Sequence, residues 1–221
     1  MNNIDEKIVF ESYKFKKWKI LIEANCVKIN SIKVVSAIIR NGRLYSAFLD
    51  CELTFPEGHT LSRCILLRGD SVVIVPLIKC NGDEQIYTIL VEQRRIVDGA
   101  LSLEFPGGMI EENDSHFETA LTETREELGI HLNKNELILL SKDPIKICTA
   151  VMDEKAYFYC FQKKVDEIFL KSYHNNKTGI IEDNEFLKLK VFKINEINGI
   201  NNSNIAIAMN LIVYSKFNLE F

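Results

Sequence analysis

"GGMIEENDSHFETALTETREELGI", residues Gly107 to Ile130, carries seven carboxylates in twenty-four residues and closes on a glycine and an isoleucine. Ser115 and Glu118 have the spacing of a capping box, and Gly129 stands where a residue just past a helix C-terminus belongs. A helix of about three and a half turns is therefore predicted from Ser115. Along it Phe117, Ala120, Leu121, Thr124 and Leu128 share one stripe, the one that would face a core. Glu123, Glu126 and Glu127 share another. A run of glutamates is most often a solvated helix face. Here the spacing argues otherwise, because carboxylates at i, i+3 and i+4 repel one another near a C-terminus whose dipole also disfavours negative charge. Folding stability alone would not select that stripe. A hard divalent cation takes oxygen ligands and offsets the repulsion, so the stripe reads as a site for Mg²⁺ or Mn²⁺.

The rest of the chain bounds the possibilities. Its 221 residues are 47% hydrophobic and 26% charged, enough for one well-packed domain with a small N-terminal extension. A net charge of -4 argues against a nucleic-acid partner, so an anionic substrate would be held locally by a few arginines and a metal. Cys26, Cys51, Cys64, Cys80, Cys148 and Cys160 show no CxxC pair and no zinc spacing, and read as reduced, mostly buried residues. No apolar run reaches the length of a membrane span, and the N-terminus has neither a basic nor an apolar leader region. A cytoplasmic protein with no membrane partner is expected.

The first thirty residues, with Trp18 and "WKILI", fit a helix or a strand equally. Asn41-Gly42 between two apolar runs signals a tight hairpin, and Asn81-Gly82-Asp83 repeats the design between "SVVIVPLIKC" and "QIYTILVEQRR". "ELILLSK", "KAYFYCFQKKV" and "EFLKLKVFKI" read as strands, and "NIAIAMNLIVYSKF" as a closing helix. Strands on both sides of a helix predict an α+β fold, a mixed sheet sandwiched by helices. The asparagine-rich "HNNKTG" and "NGINNSN" read as loops. His59, His116, His131 and His174 are isolated, and surface or loop roles are expected for them.

From Gly108 the chain resembles the Nudix box, G-x5-E-x7-R-E-U-x-E-E-x-G-U, with U an aliphatic residue. Asp114 follows Gly108 after five residues, and "TETREELGI" follows after seven more, with Glu123, Glu126, Glu127, Gly129 and Ile130 in register. Beyond the box, "RGDSVVIVPLI", "VEQRRIVDGALSLEFPGGMIEE" and "TGIIEDNEFLKL" resemble the ADP-sugar diphosphatase branch, its plant-type members in particular, over roughly Phe55 to Val191. The resemblance implies a Nudix-type α/β/α sandwich over residues 55–221. Residues 1–54 would be an extension with strands, and relatives often form homodimers through that region. It implies that Glu123, Glu126 and Glu127 hold the divalent metal, with the backbone carbonyl of Gly107 joining them. Arg95 of "EQRR" would lie near the diphosphate, and Arg68 would also meet the substrate. A late-loop acid, Glu185 or its neighbours Glu182 and Asp183, would assist catalysis. Glu104 reads equally as a pocket residue or a strand-end charge, and Arg94 as structural or solvated.

Two departures qualify the resemblance. Asp114 for the first box glutamate is mild. Thr122 stands where the box has an arginine that orients the metal-binding carboxylates. Arg125 is no obvious substitute, since it lies about 160° around the helix from Glu123. The implied activity is Mg²⁺-dependent hydrolysis of ADP-ribose or ADP-glucose to AMP and a sugar phosphate. A different nucleotide sugar or dinucleotide as substrate, or a degenerate nucleotide-binding domain favoured by Thr122, are the alternatives. No serine or cysteine nucleophile motif is present or needed, because metal ions can generate the attacking water and neutralise the leaving group.

Overall fold

The computed structural model describes residues 3–179 and 186–214. In chain order the elements are α1 (Asn3–Glu11), α2 (Tyr13–Ala24), β1 (Lys28–Arg40), β2 (Arg43–Thr54), β3 (Thr60–Leu67), β4 (Ser71–Cys80), β5 (Ile86–Arg94), β6 (Leu101–Glu104), α3 (His116–Leu128), β7 (Ile138–Leu139), β8 (Ile145–Lys146), β9 (Lys155–Val165), α4 (Glu167–Tyr173), β10 (Lys177–Thr178), β11 (Leu187–Lys193) and α5 (Ser203–Tyr214). They fall into two compact units. The first comprises Met1–Asp70 and Ile145–Ala156, the second Ser71–Pro144 and Tyr157–Phe221.

In the first unit the ambiguous N-terminal stretch is helical. The Ser12 hydroxyl accepts the Phe15 N–H at 3.1 Å, capping α2 and separating it from α1. Phe15 and Trp18, three apart on α2, bury together with Val34, Leu44, Leu49 and Leu67 of an antiparallel sheet ordered β1-β2-β3. The hairpin predicted at Asn41-Gly42 joins β1 to β2, with Arg40 paired to Arg43. Both turn residues have positive φ, 49° and 74°, as a turn matched to the strand twist requires. β2 ends at Thr54, and β3 belongs to the same unit, which runs to Asp70. So does a later piece of chain, in which β8 pairs with the start of β9. There the Leu66 N–H donates to the Val151 carbonyl at 2.7 Å. The Asp153 carboxylate accepts the N–H groups of Arg68 and Gly69 at 2.7 and 3.2 Å. Burial raises the Asp153 carboxyl above its ordinary value against the pull of those N–H donors. Lys17 pairs with buried Asp70 at 2.6 Å.

The second unit is built on a sheet ordered β10-β11-β5-β4-β9-β7, with β6 beside β5. Strand β4 is buried on both faces, as its nearly unbroken apolar run implies. Val72, Ile74 and Ile78 join Ile89 and Val91 of β5, Tyr159 and Phe161 of β9, Ala120 and Leu128 of α3 and Leu170 of α4 in one cluster. The alternate residues Val73, Val75 and Leu77 are buried as well. Helix α5 buries Ile205 and Ala208 outside the cluster that holds α3 and α4. This is the α+β class expected. The hairpin expected around Asn81-Gly82-Asp83 joins β4 to β5.

One expected strand is mostly absent. In "ELILLSK", Glu136 ends a 3₁₀ turn that starts at Lys134, and only Ile138 and Leu139 form a strand, β7. The Glu136 carboxylate accepts the Asn133 backbone N–H at 2.7 Å and its side-chain amide at 2.9 Å, and this local closure competes with strand pairing. Within "HNNKTG", read as a loop, Lys177 and Thr178 pair with β11. Of the cysteines, Cys51, Cys80 and Cys160 are buried, whereas Cys26 and Cys64 are exposed. Among the described residues no helix is long and apolar enough to cross a membrane.

Candidate functional site

The acidic helix forms as its sequence dictates. Ser115 and Glu118 close a reciprocal capping box, and Gly129 ends α3 in the left-handed conformation at φ 66°. Ala120, Thr124 and Leu128 are buried, with Phe117 and Leu121 half-buried against the same core. That leaves the glutamate stripe beside the loop preceding the helix.

This loop approaches through its two glycines. The Val72 N–H donates to the Gly108 carbonyl at 2.9 Å and the Ile74 N–H to the Pro106 carbonyl at 2.8 Å, so the segment runs strand-like along the start of β4. A Cβ on Gly107 would lie 2.1 Å from the Val72 carbonyl oxygen. A Cβ on Gly108 would lie 1.9 Å from Oε1 of Glu123. Only glycine permits both approaches. The Gly107 N–H donates to Glu127 Oε2 at 2.9 Å.

Glu127 is 3% exposed. A carboxylate that deep needs hydrogen bonds or cations to remain ionised, and the Gly107 N–H is one such partner. Glu126 is half-buried and pairs with Arg125, whose Nη2 lies 3.2 Å from Glu126 Oε1. The structure thus places Glu123 and Glu127 against the Gly107-Gly108 loop and Glu126 beside Arg125. Carboxylates and a peptide carbonyl form an all-oxygen donor set, the chemistry that Mg²⁺ and Mn²⁺ take. Among the described residues, however, no three His, Cys, Asp or Glu side chains converge as a metal-holding group. The donor types themselves fit such an ion.

Arg95 and Glu104 are brought together. Arg95 follows β5 and Glu104 ends β6, and the guanidinium grips the carboxylate by two bonds, Nε to Oε1 at 2.8 Å and Nη2 to Oε2. Burial alone would raise the Glu104 carboxyl, but the hydrogen bonds from Arg95 and Ser102 outweigh it and hold the group below the ordinary value. Glu104 thus ends β6 paired with Arg95, three residues ahead of Gly107. Arg94 donates to the Gly99 carbonyl across the hairpin turn, a structural role. Arg68 falls in the first unit, where its Nη1 lies 3.5 Å from Glu154 Oε2. Glu185, with Glu182 and Asp183, lies outside the described residues.

His116 corrects the expectation of a surface or loop role. It opens α3, stacks on Tyr157 with ring centroids 4.1 Å apart and shares a hydrogen bond with the Tyr159 hydroxyl. His174 accepts the Val191 N–H through Nδ1. Two features escaped the sequence reading, the fit of Gly108 against Glu123 and the attachment of Arg125 to Glu126. The doubled glycine ahead of an acidic helix was the available signal for the first.

The NUDIX domain pattern matches residues 68–210. The chain belongs to the NUDIX family. Nudix hydrolase 14, chloroplastic, of Arabidopsis thaliana is 28% identical over 148 residues, which is 63% of this chain and 47% of that protein. The chain thus spans about half the length of the curated relative it matches. A solved structure described as that of an ADP compounds hydrolase superposes with a TM-score of 0.59 at 17% identity, covering 86% of this chain and 93% of its own. That similarity establishes the fold, the Nudix arrangement of a mixed sheet with helices.

Proposed function

We propose that this Nudix domain hydrolyses the diphosphate linkage of ADP-sugars, with ADP-ribose and ADP-glucose as the substrate class, to AMP and a sugar phosphate. The observation that carries the reading is the seating of Glu127 and Glu123 on Gly107 and Gly108, with Glu126 on the same helix. Those three carboxylates and the Gly107 carbonyl would hold Mg²⁺ or Mn²⁺. When bound, the ion supplies a water of lowered pKa and neutralises charge developing on the bridging oxygen. The chain's own residues do the rest. Buried Glu127 is fixed by the Gly107 N–H and needs little reorganisation. Arg95 presents a planar fork suited to diphosphate oxygens, and Glu104 keeps that fork oriented. An acid of the late loop, Glu185 with Glu182 or Asp183 as alternatives, would assist. The "EQRR" and "EFPGG" segments and the similarity to an ADP compounds hydrolase support the adenine side of the assignment.

Thr122 favours a second reading, a domain that binds a nucleotide without turning it over. Products separated after incubation with Mg²⁺ in ¹⁸O-water distinguish the readings. ADP-ribose or ADP-glucose should yield AMP and a sugar phosphate, with label on a phosphate, faster than the UDP- or GDP-sugars. Free ADP plus sugar would refute attack at phosphorus, a preference for UDP- or GDP-sugars would end the adenine assignment, and binding without products would favour the second reading.

A further inference from the structure

We propose that the cavity between α4 and the β4–β5 hairpin is a second binding site, one that takes a small organic ammonium ion carrying an aliphatic body. The cavity holds about 620 Å³, within the range of roughly 300–1,000 Å³ typical of small-molecule sites. Its walls come from the second unit alone: Cys80 at the end of β4, Asp83 in the turn, Tyr87 of β5, Leu170 of α4, His174 just past that helix, and Val191 of β11. Among the described residues, neither the glutamate stripe nor Gly107 nor Arg95 lines it. Strand β4 separates the two places. Val72, whose N–H meets the Gly108 carbonyl, and Cys80 stand at opposite ends of it, roughly 26 Å apart along the strand. The cavity is therefore distinct from the diphosphate site proposed above, and binds its ligand whether or not that site hydrolyses anything.

The lining decides the ligand. Its charged side chains are Asp83, Glu167 and Lys171, two carboxylates against one ammonium. Glu167 and Lys171, one turn apart on α4, satisfy each other at 2.7 Å. Asp83 is different: among the described residues it has neutral hydrogen-bond donors and no ion pair. The Tyr87 hydroxyl donates to its Oδ2 at 2.6 Å and the Gln85 N–H to its Oδ1 at 2.8 Å. Those two bonds, with a weaker attraction from Lys193 and Lys79, hold the carboxyl below its ordinary value. Lys79 itself lies on Glu84 at 3.1 Å. Each Asp83 oxygen keeps a further lone pair for a ligand's N–H. Behind it the cavity turns apolar, with Cys80 and Leu170 buried and Val191 half-buried. The Tyr87 ring adds an aromatic wall next to the carboxylate, a pairing that attracts an ammonium by charge and by the face of the ring. His174 accepts the Val191 N–H through Nδ1 at 3.3 Å and so ties the end of α4 to β11, which presets the width of the opening.

Titration of the intact chain with n-hexylammonium, followed through assigned backbone amide resonances, tests this without reference to turnover. The amides of Asp83, Tyr87, Leu170 and Val191 should shift, with half-saturation at about a millimolar, the range open to so small a ligand. Methylammonium lacks the aliphatic body and hexanoate reverses the charge, so each should bind about tenfold more weakly or worse. Asp83→Asn keeps an oxygen for the Tyr87 hydroxyl and should weaken hexylammonium about tenfold. The three probes need only the parent chain, so they decide the matter even where Asp83→Asn does not fold. Methylammonium or hexanoate binding as tightly as hexylammonium would overturn the proposal. So would parental affinity in an Asp83→Asn chain that melts with the parent, shifts gathered at the glutamate stripe in place of these four residues, or no shift at all at concentrations on the order of tens of millimolar.

Discussion

Alanine at Gly107 would bring a Cβ to 2.1 Å from the Val72 carbonyl oxygen, a backbone atom pinned by its own strand. Relief means opening the contact by about 1 Å, a local overpacking that costs about 1–3 kcal/mol. It also strains the two bonds that flank the contact, Val72 N–H to Gly108 and Ile74 N–H to Pro106. At about 1 kcal/mol each these bring the expected loss to roughly 3–5 kcal/mol, equivalent to a melting shift of about 10 °C for a chain of this size. Alanine at Gly108 meets something different, the end of the Glu123 side chain at 1.9 Å. A carboxylate can rotate away for about 0.5–1.5 kcal/mol, so Gly108→Ala should melt within a few degrees of the parent. Its damage should appear in turnover and Mn²⁺ affinity, about ten- to a hundredfold, because Glu123 loses its seat. Circular dichroism melts run beside ADP-ribose hydrolysis read both quantities. A Gly107→Ala variant melting with the parent, or a Gly108→Ala variant that unfolds early yet hydrolyses normally, would refute the reasoning.

Thr122→Arg should raise metal affinity or turnover about tenfold or more by restoring an orienting cation next to Glu123. Unchanged metal titration and rate would show that another side chain already serves. The Arg95–Glu104 pair predicts a pH signature. Glu104 is held below its ordinary value of 4.5, so the pair adds stability that is fully present above pH 4.5 and is lost as pH falls through the lowered value. Chemical denaturation between pH 3 and pH 7 should show this acid loss in the parent and a smaller one in Glu104→Gln, and identical acid profiles would be inconsistent with it.

What was legible in the sequence was local. The bounds of α3 were written in Ser115, Glu118 and Gly129, and the β1–β2 turn in Asn41-Gly42, because each depends on groups within a few residues. The first thirty residues were ambiguous because "WKILI" satisfies either period. The Ser12 cap that decides for a helix is one hydrogen bond. Strand β1 hides its alternation behind three register shifts between Ile29 and Ile39. In the site, the stripe of Glu123, Glu126 and Glu127 could be read from helical spacing. Their partners could not, because Gly107 lies twenty residues from Glu127 and meets it only once the loop is laid along β4. Arg125 was judged by its angle to Glu123, and a wheel does not show how far an arginine reaches.

The first unit is not a continuous length of chain. Its last piece, Ile145–Ala156, is synthesised some seventy residues after Asp70. On the ribosome, the N–H groups of Arg68 and Gly69 must wait for the Asp153 carboxylate, and the Leu66 N–H for the Val151 carbonyl, until the Ser71–Pro144 part of the second unit has been made. The N-terminal helices and the three-stranded sheet can collapse early on their own apolar cluster, but the far edge of β3 is finished only in retrospect. A gene fragment ending at residue 70 would encode an unfinished object, and a genetic fusion that exchanged only the N-terminal seventy residues would leave the donor's closing segment behind in the recipient.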